Sequence, residues 1–291
     1  METQNLRAFL EVTEAKSFSL AAENLHLTQP AISKRISSLE TQLNCKLFDR
    51  IGRTVQLTEA GLALLPQAQQ ILQAVKNAQR SISDLQGDVS GTLSLGISHH
   101  IGLHRLPPVL ESFSKQYPEV HFDIDFLDSE EAYEQVMHGH IELGVITLDP
   151  TDTSTLKGEP LWNDELIVTA APSHPLASMN DLSLSTLSEF TAILPGLNTY
   201  TSQIVESLFK KHKLTLDISI ATNYLETLKM MASIGLGWSV LPKTMLDDSI
   251  KELKVNDFNV KRTLGYVYHN NRSLSNAATA FLDILKKSKD A

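Results

Sequence analysis

The stretch from Phe18 to Thr58 constrains this chain more than any other, above all the run FSLAAENLHLTQPAISKRISSLETQL near its start. Two amphipathic segments stand there with a break of only a few residues between them. Ala21, Ala22 and Leu25 belong to the first, and Ile32, Ile36, Leu39 and Leu43 to the second. The last four step i, i+4, i+7, i+11, which is one face of a helix. Thr28 is placed to accept a hydrogen bond from the free donors of that helix's first turn. Pro30 is tolerated there because its missing N–H would be unpaired anyway. The second helix therefore begins sharply, at a polar tip.

The residues that point away from the apolar stripe carry the chemistry. At about 100° per residue, Pro30, Ser33, Lys34 and Ser37 lie opposite Ile32 and Ile36, with Gln29 at the tip and Arg35 on the flank. Two helices joined by a tight turn, with hydrogen-bonding and cationic groups on the first turns of the second, suit a helix seated in the DNA major groove. Glutamine pairs with adenine edges, lysine with guanine, and serine with bases or phosphates. A polar outer face alone also fits any small helical hairpin, so the following segment decides. LFDRIGRTVQLT places Arg50, Gly52 and Arg53 at a hairpin tip between Leu47-Phe48 and Val55–Leu57, a wing that carries cations toward phosphates. From residue 28 to 57, Lys34, Arg35, Lys46, Arg50 and Arg53 stand against only Glu40 and Asp49, a local reversal in a chain of net charge -9.

The run F-S-x-A-A-x-x-L-x-x-T-Q-P-A-I-S-x-x-I-x-x-L-E-x-x-L, followed by L-F-x-R and L-T-x-A-G, resembles the N-terminal signature of LysR-type transcriptional regulators. These are bacterial winged helix-turn-helix proteins with a C-terminal effector-binding domain, and the remaining chain length suits that family too. The resemblance implies base and phosphate contacts at Thr28, Gln29, Pro30, Ser33, Lys34 and Arg35 of the reading helix and at Arg50 and Arg53 of the wing. Asn44 and Cys45 stand where the family usually has Gly and a small apolar residue. Asparagine tolerates the left-handed conformation that a helix end needs, so this departure leaves the pattern intact.

With 291 residues, 42% of them hydrophobic, the chain is long enough for two or three compact units. It contains no run of about 18 apolar residues and starts without a signal-peptide pattern, so a cytoplasmic protein without a membrane partner is expected. Its one cysteine, Cys45, forbids an intrachain disulfide and reads as a small core or surface residue; a redox sensor lacks its resolving partner. A pI near 5.6 excludes a general nucleic-acid coat, and any DNA binding must come from a local patch.

Asn5 to Lys16 reads as a supporting first helix, with Leu6, Phe9 and Leu10 inward, and Phe18 closing the core after it. Residues 1–58 thus form a winged helix-turn-helix domain. Thr58 caps a long helix over 59–87 that carries two adjoining stripes: Leu65, Ala68, Leu72, Val75 and Ile82, and beside them Leu64, Ile71, Ala78 and Leu85. A helix that long with so broad an apolar face is expected to pack on its copy in a dimer, and Pro66 predicts a kink. GDVSG at 87–91 reads as a hinge.

Beyond the hinge, strand and helix patterns alternate. Leu93–Ile97, Val120–Phe126 and Leu143–Ile146 read as strands, with helices Leu106–Tyr117 and Glu130–His138 between them. The strict alternation of the second strand marks a sheet edge. A similar unit begins near Asp164, with strands Leu166–Ala171, Thr191–Leu194, Ile218–Ala221 and Trp238–Leu241 and helices Thr201–His212 and Leu225–Ile234. The chain returns through Leu264–Tyr268 to an amphipathic C-terminal helix. The expected fold class is thus α+β multidomain. The region 91–291 forms two α/β lobes joined by two crossing strands, lobe I from 91–163 and 264–291 and lobe II from 164–263. This matches the periplasmic-binding-protein-like effector domain of the family that the chain resembles.

Such lobes put a cleft where strand C-termini face helix N-termini, and free N–H groups there favour anions. The loops that open on it supply Ser98, His99, His100, Ile101, Gly102, Thr147, Thr199, Tyr200, Thr201 and Ser202, a set rich in hydroxyls and poor in acids. A small anionic or polar effector, a carboxylate or an inorganic oxyanion, follows, unless the hydroxyls only cap helices. His100 and His104 stand at the i, i+4 spacing of metal sites, and His138 with His140 makes another close pair. No cysteine or carboxylate cluster of standard spacing accompanies either, so they read as helix-end or surface histidines and no metal or cofactor is expected. Without a phosphate loop, nucleophile elbow or paired-carboxylate signature, catalysis finds no support.

The expected function is an effector-responsive regulator that binds double-stranded promoter DNA as a dimer or, as the resembled family commonly does, a dimer of dimers. An activator of this kind would also contact RNA polymerase. The sequence leaves open a regulator that acts without a small molecule and, from other classes, a solute-binding protein with an N-terminal extension or an enzyme built on the cleft.

Overall fold

The structure is a computed structural model that describes residues 1–51, 54–83, 87–149 and 156–288. The chain separates into two compact units, one built from Met1–Gly87 with His138–His140 and the other from Asp88–Met137 and Ile141–Ala291.

The first unit packs α1 (Thr3–Ala15), α2 (Phe18–Asn24) and α3 (Gln29–Leu43) with an antiparallel hairpin, β1 (Phe48–Ile51) and β2 (Thr54–Leu57), and with α4 (Glu59–Ser83). Leu6, Phe9 and Val12 of α1 meet Ile32, Ile36 and Leu39 of α3, all fully or almost fully buried. Phe48 closes this core, its ring 5.4 Å from Phe9 and 5.8 Å from Phe18. The apolar spacing read from the sequence is therefore the packing face of α3. Caps fix the helix ends: Ser17 accepts from Leu20 N–H, Thr28 from Ala31 N–H and Thr58 from Gly61 N–H. Asn44 ends α3 with φ 51°, the left-handed conformation that asparagine tolerates. A side chain at Gly61 would place its Cβ 2.3 Å from the Leu47 carbonyl, so glycine lets α4 approach the wing closely.

α4 is one helix that passes through Pro66. Ala60, Leu64, Leu65, Ala68 and Leu72 pack onto the core, whereas Leu62, Ile71 and Ile82 are exposed. Of the second stripe, Leu64 has turned to the core, Ile71 and Ala78 are exposed, and Leu85 lies outside the described residues.

The second unit opens with β3 (Gly91–Ser98), α5 (His99–His104), α6 (Pro107–Gln116), β4 (Val120–Leu127), α7 (Ser129–His138) and β5 (Leu143–Thr147). It continues with β6 (Leu156–Ala170), α8 (Leu184–Ser188), β7 (Ala192–Leu194), α9 (Tyr200–Lys211), β8 (Ile218–Ala221), α10 (Leu225–Ser233), β9 (Trp238–Pro242), β10 (Lys251–Leu253), β11 (Val260–His269) and α11 (Asn276–Lys287). The strand order is β4-β3-β5-β11-β6-β9-β7-β8, with β10 also paired to β6. β4 stands at the edge, as its alternation requires.

Lobe I buries Leu93, Leu95, Ile97, Phe113, Tyr266, Phe281 and Leu285 on one face of the sheet, and Ala132, Val136, Ile146 and Val267 on the other. Lobe II does the same with Leu166, Val168, Leu194, Phe209, Trp238 and Val240 against one face and Leu225, Leu228, Leu241 and Met245 against the other. Helices thus cover both faces of each lobe. The two lobes share one hydrogen-bonded sheet, because β6 and β11 pair from Leu156 opposite His269 to Leu166 opposite Val260. Both strands are longer than the sequence pattern suggests: polar residues at 157–159 and 261–263 break the apolar runs that mark strands elsewhere. The residues after β3 also differ from expectation. Instead of an open loop they form α5, in which His100, Ile101 and Gly102 are buried.

Glu40 is the buried acid of the first unit. Its carboxylate accepts from Leu47 N–H at 2.9 Å and pairs with Lys46 Nζ at 2.8 Å. Burial pushes its carboxyl upward, but the Lys46 ammonium and the N–H groups of Leu47 and Phe48 outweigh that and hold it below the ordinary value of 4.5. A lowered folded pKa contributes stability that is complete above the unfolded value and is lost as pH falls through the folded one. Glu40→Ala should therefore destabilise the first unit by about 1–3 kcal/mol at neutral pH. The loss should shrink as pH drops below about 4.5. Hydrogen exchange at the Leu47 amide across that range checks both.

Candidate functional site

The polar tip of the first unit stands as the sequence places it. Thr28, Gln29, Pro30 and Lys34 are exposed at the start of α3, and Ser33 and Arg35 are half-buried. Gln29 Nε2 donates to Ser33 Oγ at 2.9 Å, one helical turn on, so these two groups present a single oriented pair. Arg35 is held differently: its guanidinium donates to Gln4 Oε1 of α1 at 2.8 Å, which ties it to the flank. Arg50 contributes backbone to β1, and its side chain, with Arg53 and Gly52, lies outside the described residues.

The second candidate lies between the lobes, at the C-terminal ends of β3 and β5 and the N-terminal ends of α7, α9 and α10. Ser98, His99, His100, Thr147, Thr199 and Thr201 line a cavity there, together with Asp128, Ser129, Glu130, Asn223 and Arg262. The cavity measures about 50 Å³, room for one or two waters.

Contacts that cross from lobe to lobe explain the small volume. Glu130, in the first turn of α7, accepts the backbone N–H of Tyr200, the first residue of α9. Asp128 accepts from Asn223 Nδ2, and Asn223 in turn accepts from Gly196 N–H at 2.8 Å. Outside the cavity, His104 of α5 and Glu226 of α10 stand 2.9 Å apart. The α9 N-terminus, with its free donors and positive dipole end, thus already holds a carboxylate that belongs to the protein. Burial raises the Glu130 carboxyl above the ordinary range, and the Tyr200 N–H opposes that.

Beneath the cavity, Arg262 is 6% exposed and Asp164 2%. They face each other across the β6–β11 ladder, and the guanidinium donates from Nε at 2.9 Å and from Nη2 at 2.8 Å to Asp164 Oδ2. Its Nη1 donates to Thr201 Oγ1 at 3.1 Å. His100 is 5% exposed, and burial, with the Arg262 cation next in importance, lowers its pKa to about 3. It is a neutral imidazole throughout the physiological range.

Four of the expected residues take other roles. Ile101 belongs to the lobe I core, and a Cβ on Gly102 would lie 2.4 Å from the Phe126 ring. Ser202 is fully buried and donates to the Pro195 carbonyl at 2.6 Å. Tyr200 offers the site its backbone N–H, not its phenol. The expectation of a cleft poor in acids is corrected: Asp128 and Glu130 line it and Asp164 sits below it. Asp128 and Glu130 flank Ser129 at the start of α7, where acids are common for helix-dipole reasons, so nothing in the sequence marks them as cleft residues. Arg262 falls just before the return strand as read from its apolar residues, so only the length of β11 reveals it.

Residues 3–62 match the family model described as bacterial regulatory helix-turn-helix protein, lysR family, and residues 86–290 match the LysR substrate binding domain. An uncharacterised HTH-type transcriptional regulator of Azotobacter vinelandii is 60% identical over 108 residues, 37% of this chain and 75% of that protein. A probable RuBisCO transcriptional regulator of Synechocystis is 30% identical over 290 residues, 95% of this chain and 83% of its own. Full-length CbnR complexed with its target DNA matches with TM-score 0.70 and 22% identity over 99% of this chain and 100% of CbnR. The regulatory domain of Synechocystis CcmR in complex with 2-PG matches with TM-score 0.62 and 21% identity over 69% of this chain and 98% of that domain.

Replacing Arg262 by alanine leaves the buried Asp164 carboxylate without its hydrogen-bonded partner and with only the distant Arg105 cation at 3.9 Å, and should cost about 3–5 kcal/mol; the double change Arg262→Met with Asp164→Asn should recover most of it. Both tryptophans, Trp162 and Trp238, lie in the second unit, so urea denaturation followed by their fluorescence measures the loss.

Proposed function

The chain belongs to the LysR family of bacterial DNA-binding transcriptional regulators, and we propose that it reads promoter DNA with the first half of α3 and responds to a small carboxylate or oxyanion that displaces Glu130 from α9. In this reading Gln29 and Ser33 contact base edges as an oriented pair, while Lys34 and the wing arginines Arg50 and Arg53 contact phosphates. Thr28, Pro30 and Arg35 set the helix start and flank against the backbone. The exposed Leu62, Ile71 and Ile82 of α4 support a dimer through that helix. Two such dimers would give a tetramer that spans two sites, with RNA polymerase as a further contact in activation. Among the described residues no helix is long and apolar enough to cross a membrane; the proposed regulator acts in the cytoplasm, where promoter DNA lies.

One observation carries the effector reading: the Glu130 carboxylate already occupies the free N–H at the start of α9. A site that holds an internal carboxylate is suited to an external one, and Ser98, Thr147, Thr199 and Thr201 are at hand to bond its other oxygens. His99 and His100 would form its wall, with the Arg262 guanidinium below. The effector acts only through the difference in its affinity for the two arrangements of the lobes. A coupling of about 1–3 kcal/mol is enough to alter promoter binding appreciably.

For the reader, Lys34→Ala should weaken binding to all sequences and lower the slope of log affinity against log salt by about 1, whereas Gln29→Ala should cost about 1–3 kcal/mol at its own base positions only. Selection of genomic fragments by the purified protein, repeated at two salt concentrations, separates the two effects. Identical fragment preference in wild type and Gln29→Ala would remove α3 from its proposed role.

For the cleft, the test is a thermal-shift screen of small carboxylates and oxyanions on the full chain. Glu130→Ala should bind the active compound at least about tenfold more tightly, because its internal competitor is gone. The pair Ser98→Ala and Thr147→Val should lose the response. No shift by any anion in either the wild type or Glu130→Ala would favour a regulator that acts without a small molecule.

A further inference from the structure

His100 and His104 occupy successive turns on one side of α5, their ring centroids 4.7 Å apart. The sequence supplies no third ligand near them, but the fold does: Glu226, in the first turn of α10 in lobe II, brings Oε1 to 2.9 Å from His104 Nε2. One donor atom from each of the three residues lies within 4.8 Å of the others, and this is such a group among the described residues. An ordinary hydrogen bond accounts for His104 and Glu226. It does not account for His100, which is 5% exposed and has neither ring nitrogen hydrogen-bonded. A buried imidazole with no partner is unfavourable unless something completes it.

We infer that His100, His104 and Glu226 form a binding site for a zinc-class divalent cation, with ligands from both lobes. Two imidazoles and one carboxylate are a donor set for zinc and its neighbours rather than for magnesium or calcium, which take oxygen ligands. Tetrahedral coordination with bonds of about 2.0–2.1 Å places donors about 3.3 Å apart, so rotations about the three side chains draw them together. The half-exposed His104 and Glu226 provide the route of entry and leave a fourth position for water. The two nearby guanidiniums are both directed at Asp164, Arg262 in hydrogen bonds and Arg105 at 3.9 Å, which reduces their repulsion of a cation.

Because α5 packs in lobe I and α10 in lobe II, the ion links the lobes from outside the cavity that His100 also lines. The site does not depend on the identity of any effector.

The test uses the full-length protein stripped of metal with a chelator. Calorimetric titration with zinc chloride, with magnesium in excess, should give one ion per chain and raise the unfolding temperature of the unit that contains Trp162 and Trp238. His104→Ala and Glu226→Gln change half-exposed side chains and should preserve the circular dichroism spectrum, yet each should weaken zinc more than about tenfold. Cobalt in place of zinc should give the visible absorption of a four-coordinate site in the wild type and lose it in both variants. Zinc bound equally well by the variants, or no stoichiometric binding by the wild type, would overturn the assignment.

Discussion

The second unit depends on the buried pair of Arg262 and Asp164. These residues stand opposite each other on the two strands that cross between the lobes, so the pair is formed where the lobes meet. A buried ion pair contributes little net stability, because desolvation offsets most of the attraction. It specifies geometry instead. Arg262 also reaches Thr201 in the first turn of α9, so the crossing strands and the α9 N-terminus are held in one orientation, and that terminus is where the cleft presents its donors. A hydrophobic pair would fill the space without setting that direction.

The cleft as it stands is a set of opposed partners. Helix starts from one lobe face acids from the other: Tyr200 N–H faces Glu130, and Asn223, just ahead of α10, faces Asp128. Each contact joins polar residues of different lobes, and each lobe has its own hydrophobic cores, so separating the lobes at these helix starts breaks polar contacts rather than core packing. The energy between the two arrangements is therefore a matter of hydrogen bonds and charge, terms of a size that a small polar molecule can reverse.

The first unit was almost entirely legible in the sequence. Its elements follow one another closely, each apolar stripe meets a neighbour a few turns away, and Thr28, Asn44 and Thr58 mark the helix ends by their own chemistry. The strands of the lobes were legible too, wherever an apolar run announced them. What escaped were features that depend on distant pairing. The polar parts of β6 and β11 are strands because each satisfies the other's backbone, about 100 residues apart in the chain. Arg262 and Asp164 become a pair only in that register. Ser98 to Gly102 looked like a loop because a six-residue helix gives too short a pattern to register its period. Glu130 looked like a helix-start acid, which it is; that its carboxylate serves a different helix follows only from the meeting of the lobes.

The path of the chain through the lobes also sets an order of assembly. Lobe II between Leu166 and Val260 is one continuous segment, and its hydrophobic core is complete when that segment has emerged from the ribosome. Lobe I is not: Tyr266, Phe281 and Leu285, which pack with Leu93 and Phe113, lie at the far end of the chain. Until α11 is made, β3 and α6 expose the apolar surface that it will cover. The first unit, by contrast, closes on local contacts and is able to fold early in synthesis. A nascent chain truncated before residue 260 would thus carry a finished DNA reader and an unfinished sensor.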